Sequence, residues 1–319
     1  VKPGSPYGIP VLAFITLLSR VPFLLAGYGV EEDSWGIVKA VRQTAETGLY
    51  EASRLPGHPL HEGIYLLAPH AGPLFYNGLS ALVSAIAVVY FAFALRELGL
   101  KNYLLPAFAL AFVPVIYISS TYTIDYNWTL CFQVAAFYYL LRKKYLVSAC
   151  LLGLSVGCRL TAGAMLLPFL VMLSAHDPLP KEYVKYAALT LVTAVLCYLP
   201  IFLQYGPGFF HYYDQFAYPP FTKVIYKATI GVFGVCGLAG VLLALATVIR
   251  NKFKPVGAAG FSSPIPPRIM AVCAIVFGLY LVSYLRLPQK SGYLVPVLPF
   301  LLIFFSCFTK ERTLRWLCA

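Results

Sequence analysis

Phe137-Tyr138-Tyr139-Leu140-Leu141-Arg142-Lys143-Lys144-Tyr145-Leu146-Val147-Ser148 sets three consecutive cations between two apolar runs. Apolar runs of this kind leave water for a lipid interior, while the cations between them stay in the aqueous phase. The same arrangement recurs along the chain at Arg96/Lys101, Lys181/Lys185, Arg250/Lys252/Lys254 with Arg268, and Lys310/Arg312/Arg315. With Lys2, these stretches place 15 of the 24 basic residues on one face of a membrane. Seven fall on the other face: Lys39, Arg42, Arg54, Lys223, Lys227, Arg286 and Lys290. Arg20 and Arg159 lie within apolar segments. The positive-inside rule makes the first face cytoplasmic. Eight of the 12 acids then lie on the opposite face, including the run Glu31-Glu32-Asp33. The chemistry of this chain is therefore expected outside the cytoplasm, in a multi-pass protein of the cell membrane with both termini cytoplasmic.

Composition agrees. Of 319 residues, 60% are hydrophobic and 11% charged, which excludes a soluble globule. The mean hydropathy is +0.77. A net charge of +12 would suggest nucleic acid in a soluble protein. Here it belongs to loops that face anionic headgroups, so membrane lipid is the expected partner and nucleic acid is not. The first apolar stretch, Ile9 to Leu25, lacks a small-residue cleavage site and is read as a retained span. The eight cysteines are scattered singly, without CxxC or Cys/His ligand spacing, so neither disulfides nor a zinc site is implied. They read as small buried hydrophobes.

A span needs about 20 apolar residues. Ten are expected, near 8–28, 73–95, 103–120, 126–141, 145–157, 160–175, 185–204, 227–249, 269–285 and 292–308. The fold class is thus all-α: a polytopic transmembrane helix bundle forming one domain over 1–319, with no repeat and no soluble domain. The spans 145–157 and 160–175 are short and meet at Gly157-Cys158-Arg159, the pattern of two half-spans joined at a break.

The first extracytoplasmic loop, residues 29–72, is far longer than a connecting turn. It opens as a surface helix capped by Asp33 or Ser34 and ended by Gly48. Ile37, Val38, Val41 and Ala45 form its apolar stripe, and Lys39, Arg42, Gln43 and Glu46 its polar face. A turn-rich stretch follows, Arg54-Leu55-Pro56-Gly57-His58-Pro59-Leu60-His61-Glu62, then a short helix to about Ala68. Two further outer segments stand out: the aromatic run between Gln204 and Tyr226, and Arg286-Leu287-Pro288-Gln289-Lys290-Ser291-Gly292-Tyr293.

Each polar feature has a functional and a structural reading. Three adjacent carboxylates at 31–33 repel one another, which raises the pKa of one and suits it to act as a base. They equally favour a helix N-terminus through its dipole. Asp125 either joins the acidic cluster around a cavity or metal, or caps the fourth span. His58 and His61, three apart and followed by Glu62, make a weak metal pattern; no metal site is assigned, and a divalent ion is left open as a cofactor. Phosphate contact by Arg54, assisted by a histidine, is the better functional reading of that loop. Arg159 at membrane depth needs a partner or water, and either meets a lipid phosphate or closes the break at Gly157. Arg286 and Lys290 are phosphate ligands or snorkelling rim residues. The aromatic run stacks on a sugar, lines a lipid groove, or forms an interfacial belt.

Several of these segments together resemble a family. Arg20-Val21-Pro22 at the end of the first span precedes an acidic pair and a surface helix. Gly48-Leu49-Tyr50 and Ser53-Arg54-Leu55-Pro56-Gly57-His58-Pro59 follow. Gly153-Leu154-Ser155-Val156-Gly157-Cys158-Arg159-Leu160-Thr161 resembles a Gly-rich half-span pair, and Tyr293-Leu294-Val295-Pro296-Val297-Leu298-Pro299 a late Pro-rich span. The whole is similar to the GT-C membrane glycosyltransferases, particularly the protein O-mannosyltransferase and aminoarabinose-transferase-like branch. The resemblance covers most of the chain; the acidic loop and the Arg-x-Pro-Gly-x-Pro stretch are its most specific parts. It implies transfer of a sugar from a polyprenyl-phosphate donor to a protein, lipid or glycan hydroxyl on the outer face. It makes Asp33 the base, with Glu32 as rival, and Arg54, His58 and Arg286 the groups that meet the departing phosphate. The family often has Asp followed by Glu, whereas this chain has Glu-Glu-Asp. The alternative from another class is a non-catalytic GT-C-like subunit packed against partners in a membrane assembly.

Overall fold

A computed structural model describes residues 7–176, 178–208, 217–253 and 267–309, and the regular elements in them are helices. The order begins with α1 (Gly8–Arg20), α2 (Glu32–Thr47), α3 (Pro59–Tyr65), α4 (Pro73–Glu97), α5 (Leu104–Phe112), α6 (Pro114–Ser119) and α7 (Tyr126–Leu141). It continues with α8 (Tyr145–Cys158), α9 (Leu166–Leu173), α10 (Pro180–Tyr205), α11 (Phe221–Ala228), α12 (Ile230–Arg250), α13 (Pro267–Arg286) and α14 (Leu298–Phe308). The aromatic positions 209–216 and the basic residues Lys2, Lys254, Lys310, Arg312 and Arg315 lie outside the described residues.

Among the described residues, five helical stretches are long and apolar enough to cross a membrane: Pro73–Glu97, Pro180–Gly208, Ile230–Arg250, Pro267–Arg286 and Ser291–Phe308. These coincide with five of the ten expected spans; the other five are shorter or broken, for local reasons. Residues 103–120 split into α5 and α6 because Pro114 forces Val113 out of the helical region, to ψ 124°. Residues 145–157 and 160–175 are separate because Arg159 is extended between α8 and a 3-10 turn at Leu160–Met165.

The bundle has an apolar core with polar residues buried in it, and its exterior is apolar too. Helix α7 runs between α4 and α8, and nearly all its residues are buried. Asn77, Ser80 and Ser84 of α4 and Asn127, Thr129 and Gln133 of α7 are fully or almost fully buried. The exposed surface of α10 instead carries Leu191, Val192, Val195, Leu196, Leu199, Phe202 and Leu203. In water that surface would drive aggregation; against lipid it costs nothing. Helices α8 and α10 touch backbone to backbone: a Cβ on Gly153 would lie 2.8 Å from the Thr190 carbonyl oxygen, and one on Gly157 2.6 Å from Cys197 Sγ. Small residues four apart are how helices approach closely where hydrophobicity gives no drive.

Helix α2 departs from the sequence expectation at its start. It begins at Glu32, with Glu31 at the N-cap and no side-chain capping bond, so neither Asp33 nor Ser34 caps it. Gly48 does end it, in the left-handed conformation at φ 72°. Ile37, Val38 and Val41 are buried as the stripe predicts, joined by Ala40, while Ala45 is exposed.

Candidate functional site

The acidic run unwinds into separate roles because it straddles the first turn of α2. Asp33 faces Arg54, whose Nη1 lies 3.0 Å from Oδ1 and 2.9 Å from Oδ2. Both side chains stay about one-sixth exposed, at 17% and 16%. Glu31 accepts hydrogen bonds from Lys290 Nζ at 2.8 Å and from the Tyr122 hydroxyl at 2.8 Å. Lys290 also lies 3.7 Å from Asp33 Oδ2. Glu32, on the outward side of the turn, is exposed and outside this network. Three segments distant in sequence therefore meet: the first loop, the α6–α7 turn and the loop after α13.

Electrostatics within the cluster are mutually supporting. Burial works against the Lys290 ammonium, yet the hydrogen bond and charge of Glu31, with Asp33 nearby, carry its pKa upward. Burial, then the Glu31 carboxylate, pushes the Tyr122 phenol up, so it stays a donor. Arg286, exposed at the end of α13, makes none of these contacts.

A second polar group lies in the interior. Asp125 is fully buried and takes a two-point bond from Arg159, Nε to Oδ2 at 2.6 Å and Nη2 to Oδ1 at 2.9 Å. Burial raises the Asp125 carboxyl, but Arg159 and then His58 overcome it and hold it below the usual carboxylate range. The His58 ring sits 3.6 Å from Asp125 through Nδ1, which also lies 2.9 Å from the Cys158 carbonyl oxygen. A carbonyl only accepts, so Nδ1 carries the proton. The Arg159 guanidinium is held between the Tyr126 and Tyr293 rings, 4.7 and 5.0 Å from their centroids. Asp125 makes no side-chain cap for α7. It neutralises Arg159 instead, so the capping role the sequence offered for it is replaced by an ion pair.

Glu62 organises the turn-rich stretch. Almost fully buried, it accepts from the hydroxyls of Tyr50 and Ser53, from the Ser53 N–H at 3.0 Å and from the His58 N–H at 3.4 Å. Those bonds fold residues 50–58 around one carboxylate and so place Arg54 opposite Asp33. His61 is buried edge-on to Tyr65 and Trp128, ring centroids 4.8 and 5.5 Å away, and neither ring nitrogen has a hydrogen-bond partner among the described residues. Burial pulls its pKa from 6.5 down to about 3, against the attraction of Asp125. His61 is thus neutral and enclosed among aromatic rings.

The residues the sequence nominated thus separate into three places: Asp33, Arg54 and Lys290 in the partly open cluster, Asp125, Arg159 and His58 beneath, and Glu62 and His61 in the loop's own packing. Glu31 and Tyr122 complete the cluster. Glu31 was visible as part of the acidic run, whereas Tyr122 carried no signal among the chain's 24 tyrosines. No group of three or more metal-ligating side chains occurs among the described residues, so a divalent ion has no ligand set there. No protein-family model matches the chain, and no curated protein matches it in sequence.

Proposed function

We propose that this protein is a membrane glycosyltransferase that moves a sugar from a polyprenyl-phosphate donor to an acceptor hydroxyl on the extracytoplasmic face. The GT-C-like arrangement implied by the resemblance and the ten crossings read from the apolar stretches belong to this proposal. The observation that carries it is the pairing of Asp33 with Arg54, with Lys290 alongside, at a partly exposed site.

Both cations now neutralise carboxylates of their own chain. A donor phosphate arriving at Arg54 and Lys290 takes over that role and releases Asp33. The freed carboxylate then accepts the proton of the acceptor hydroxyl as its oxygen attacks the anomeric carbon. The bond from that carbon to the phosphate oxygen breaks, and the electron pair leaves with the polyprenyl phosphate, where the two cations offset its charge. Arg159, neutralised by Asp125, and His58, bonded to the Cys158 carbonyl, support the site rather than the chemistry.

A second reading, a non-catalytic subunit of a membrane assembly, draws on the completeness of these ion pairs, which need no ligand to be satisfied. The test is transfer from a panel of radiolabelled polyprenyl-phosphate sugars in membranes containing the protein. Incorporation above that of membranes lacking it supports the enzyme. No incorporation from any donor, with a partner co-purifying in fixed ratio, supports the subunit.

A further inference from the structure

The polar face of α2 carries a crevice that plays no part in the proposed transfer. It has a volume of about 400 Å³ and is lined by Tyr28, Trp35, Val38, Lys39, Arg42, Gln43 and Glu46. Its depth in the fold is fixed by α4, a helix of membrane-crossing length. The Tyr28 ring meets Tyr76, in the first turn of α4, at 5.5 Å. Asn77 of the same turn donates to the carbonyls of Leu24 at 3.0 Å and Gly27 at 2.7 Å. The crevice therefore sits level with the end of a crossing helix, where headgroups lie.

Its donors are prepositioned. Arg42 is anchored from one side, Nε to the Pro69 carbonyl at 3.4 Å and Nη2 to the Tyr28 hydroxyl at 2.9 Å. Two of its five N–H groups are thereby used, and the planar fork keeps the remainder for a second acceptor. Lys39, one turn earlier, is exposed and forms no ion pair among the described residues. His70, between Pro69 and Ala71, whose carbonyls accept from Arg42 and Tyr28, is exposed beside them. Trp35 gives its indole N–H to the Gly29 carbonyl at 3.0 Å and leaves 54% of its surface outside, as an interfacial anchor does. Glu46, one turn beyond Arg42, also lines the crevice.

We infer that this crevice binds the phosphate of an anionic phospholipid, with Arg42 as the fork, Lys39 as the second cation and Trp35 seated among the headgroups. The bound lipid fixes α2, and with it the Asp33 end of that helix, against the bilayer. The inference stands whether or not the chain transfers sugar.

The test measures lipid binding by native mass spectrometry on the full chain in non-ionic detergent. Phosphatidylglycerol, phosphatidylcholine and glycerol 1-phosphate are compared at equal concentration. The expected result is preferential binding of phosphatidylglycerol, reduced about fivefold by Lys39→Gln, the worth of one basic residue at a lipid surface. Arg42→Gln is expected to reduce it at least as much. Because Arg42 also bonds Tyr28 and Pro69, Lys39→Gln, which breaks no ion pair among the described residues, decides the matter. Equal binding of the two lipids, or a preference unchanged in Lys39→Gln, overturns the inference. Glycerol 1-phosphate binding as tightly as phosphatidylglycerol also overturns it, because the site would then recognise a free anion.

Discussion

At the scale of single residues, Glu62 and His61 show why neighbours in one loop have opposite sensitivities. Glu62 satisfies four donors from Tyr50, Ser53 and His58. Replacing it with Ala leaves those donors buried without a partner, at about 1–3 kcal/mol for each that water cannot reach. Glu62→Ala is expected to lower the unfolding midpoint in detergent well beyond Glu62→Gln, which keeps half of the acceptors. An equal effect of both would show that charge, not acceptor geometry, matters. His61 titrates lower in the fold than in the unfolded chain, so the unfolded chain binds more protons between about 3 and 6.5. Stability is therefore complete above pH 6.5 and falls as the pH drops towards 3, by up to about 1.4 kcal/mol per unit. His61→Phe, an apolar ring of similar size, should flatten unfolding measured from pH 7 to 5 relative to the wild type. These residues were legible as polar and clustered, but their roles were not. His58, His61 and Glu62 share one short stretch, yet one binds a carbonyl, one is sealed among aromatics and one gathers hydroxyls. That division depends on Tyr50, Tyr65 and Trp128, which look in sequence like ordinary apolar positions.

At the scale of elements, the Gly153–Gly157 pair sets the distance between α8 and α10, and through it the position of Arg159 just after α8. A side chain at Gly153 meets the Thr190 backbone, which cannot move aside as a rotamer does. Gly153→Leu is expected to cost about 1–3 kcal/mol or more from overpacking and to lower the thermal midpoint in detergent. Gly163→Leu serves as control, since a Cβ there meets nothing closer than 4.0 Å. Equal tolerance of both would contradict the close contact. The break at Gly157-Cys158-Arg159 was readable, because a glycine marks it locally. The break at Pro114 was not drawn, since 103–120 was expected as one span, although proline's restriction of the residue before it is equally local. The pairing of Asp125 with Arg159 was not readable, because it joins residues 34 apart through tertiary packing. Nor did the sequence disclose that α2 starts uncapped, since tertiary contacts of Glu31 replace the capping bond.

At the scale of the whole molecule, large apolar side chains cover much of the exterior as well as filling the core, and a minority of polar residues is buried among them, which fits a membrane-embedded bundle. Hydropathy conveys the membrane embedding without any structure, so the all-helical class was open to sequence reading. The convergence of the first loop with the loop after α13 was not: Lys290 and Glu31 are 259 positions apart. The account's central claim is that this convergence forms a transfer site in which Asp33 is the base. The most direct measurement compares sugar transfer by the wild type, Asp33→Asn and Glu32→Gln in membranes holding equal amounts of each protein. Loss of a general base costs about 100-fold or more. The account predicts that loss in Asp33→Asn and near wild-type rates in Glu32→Gln, whose side chain is exposed and outside the cluster. Full activity in Asp33→Asn, or loss confined to Glu32→Gln, would contradict it.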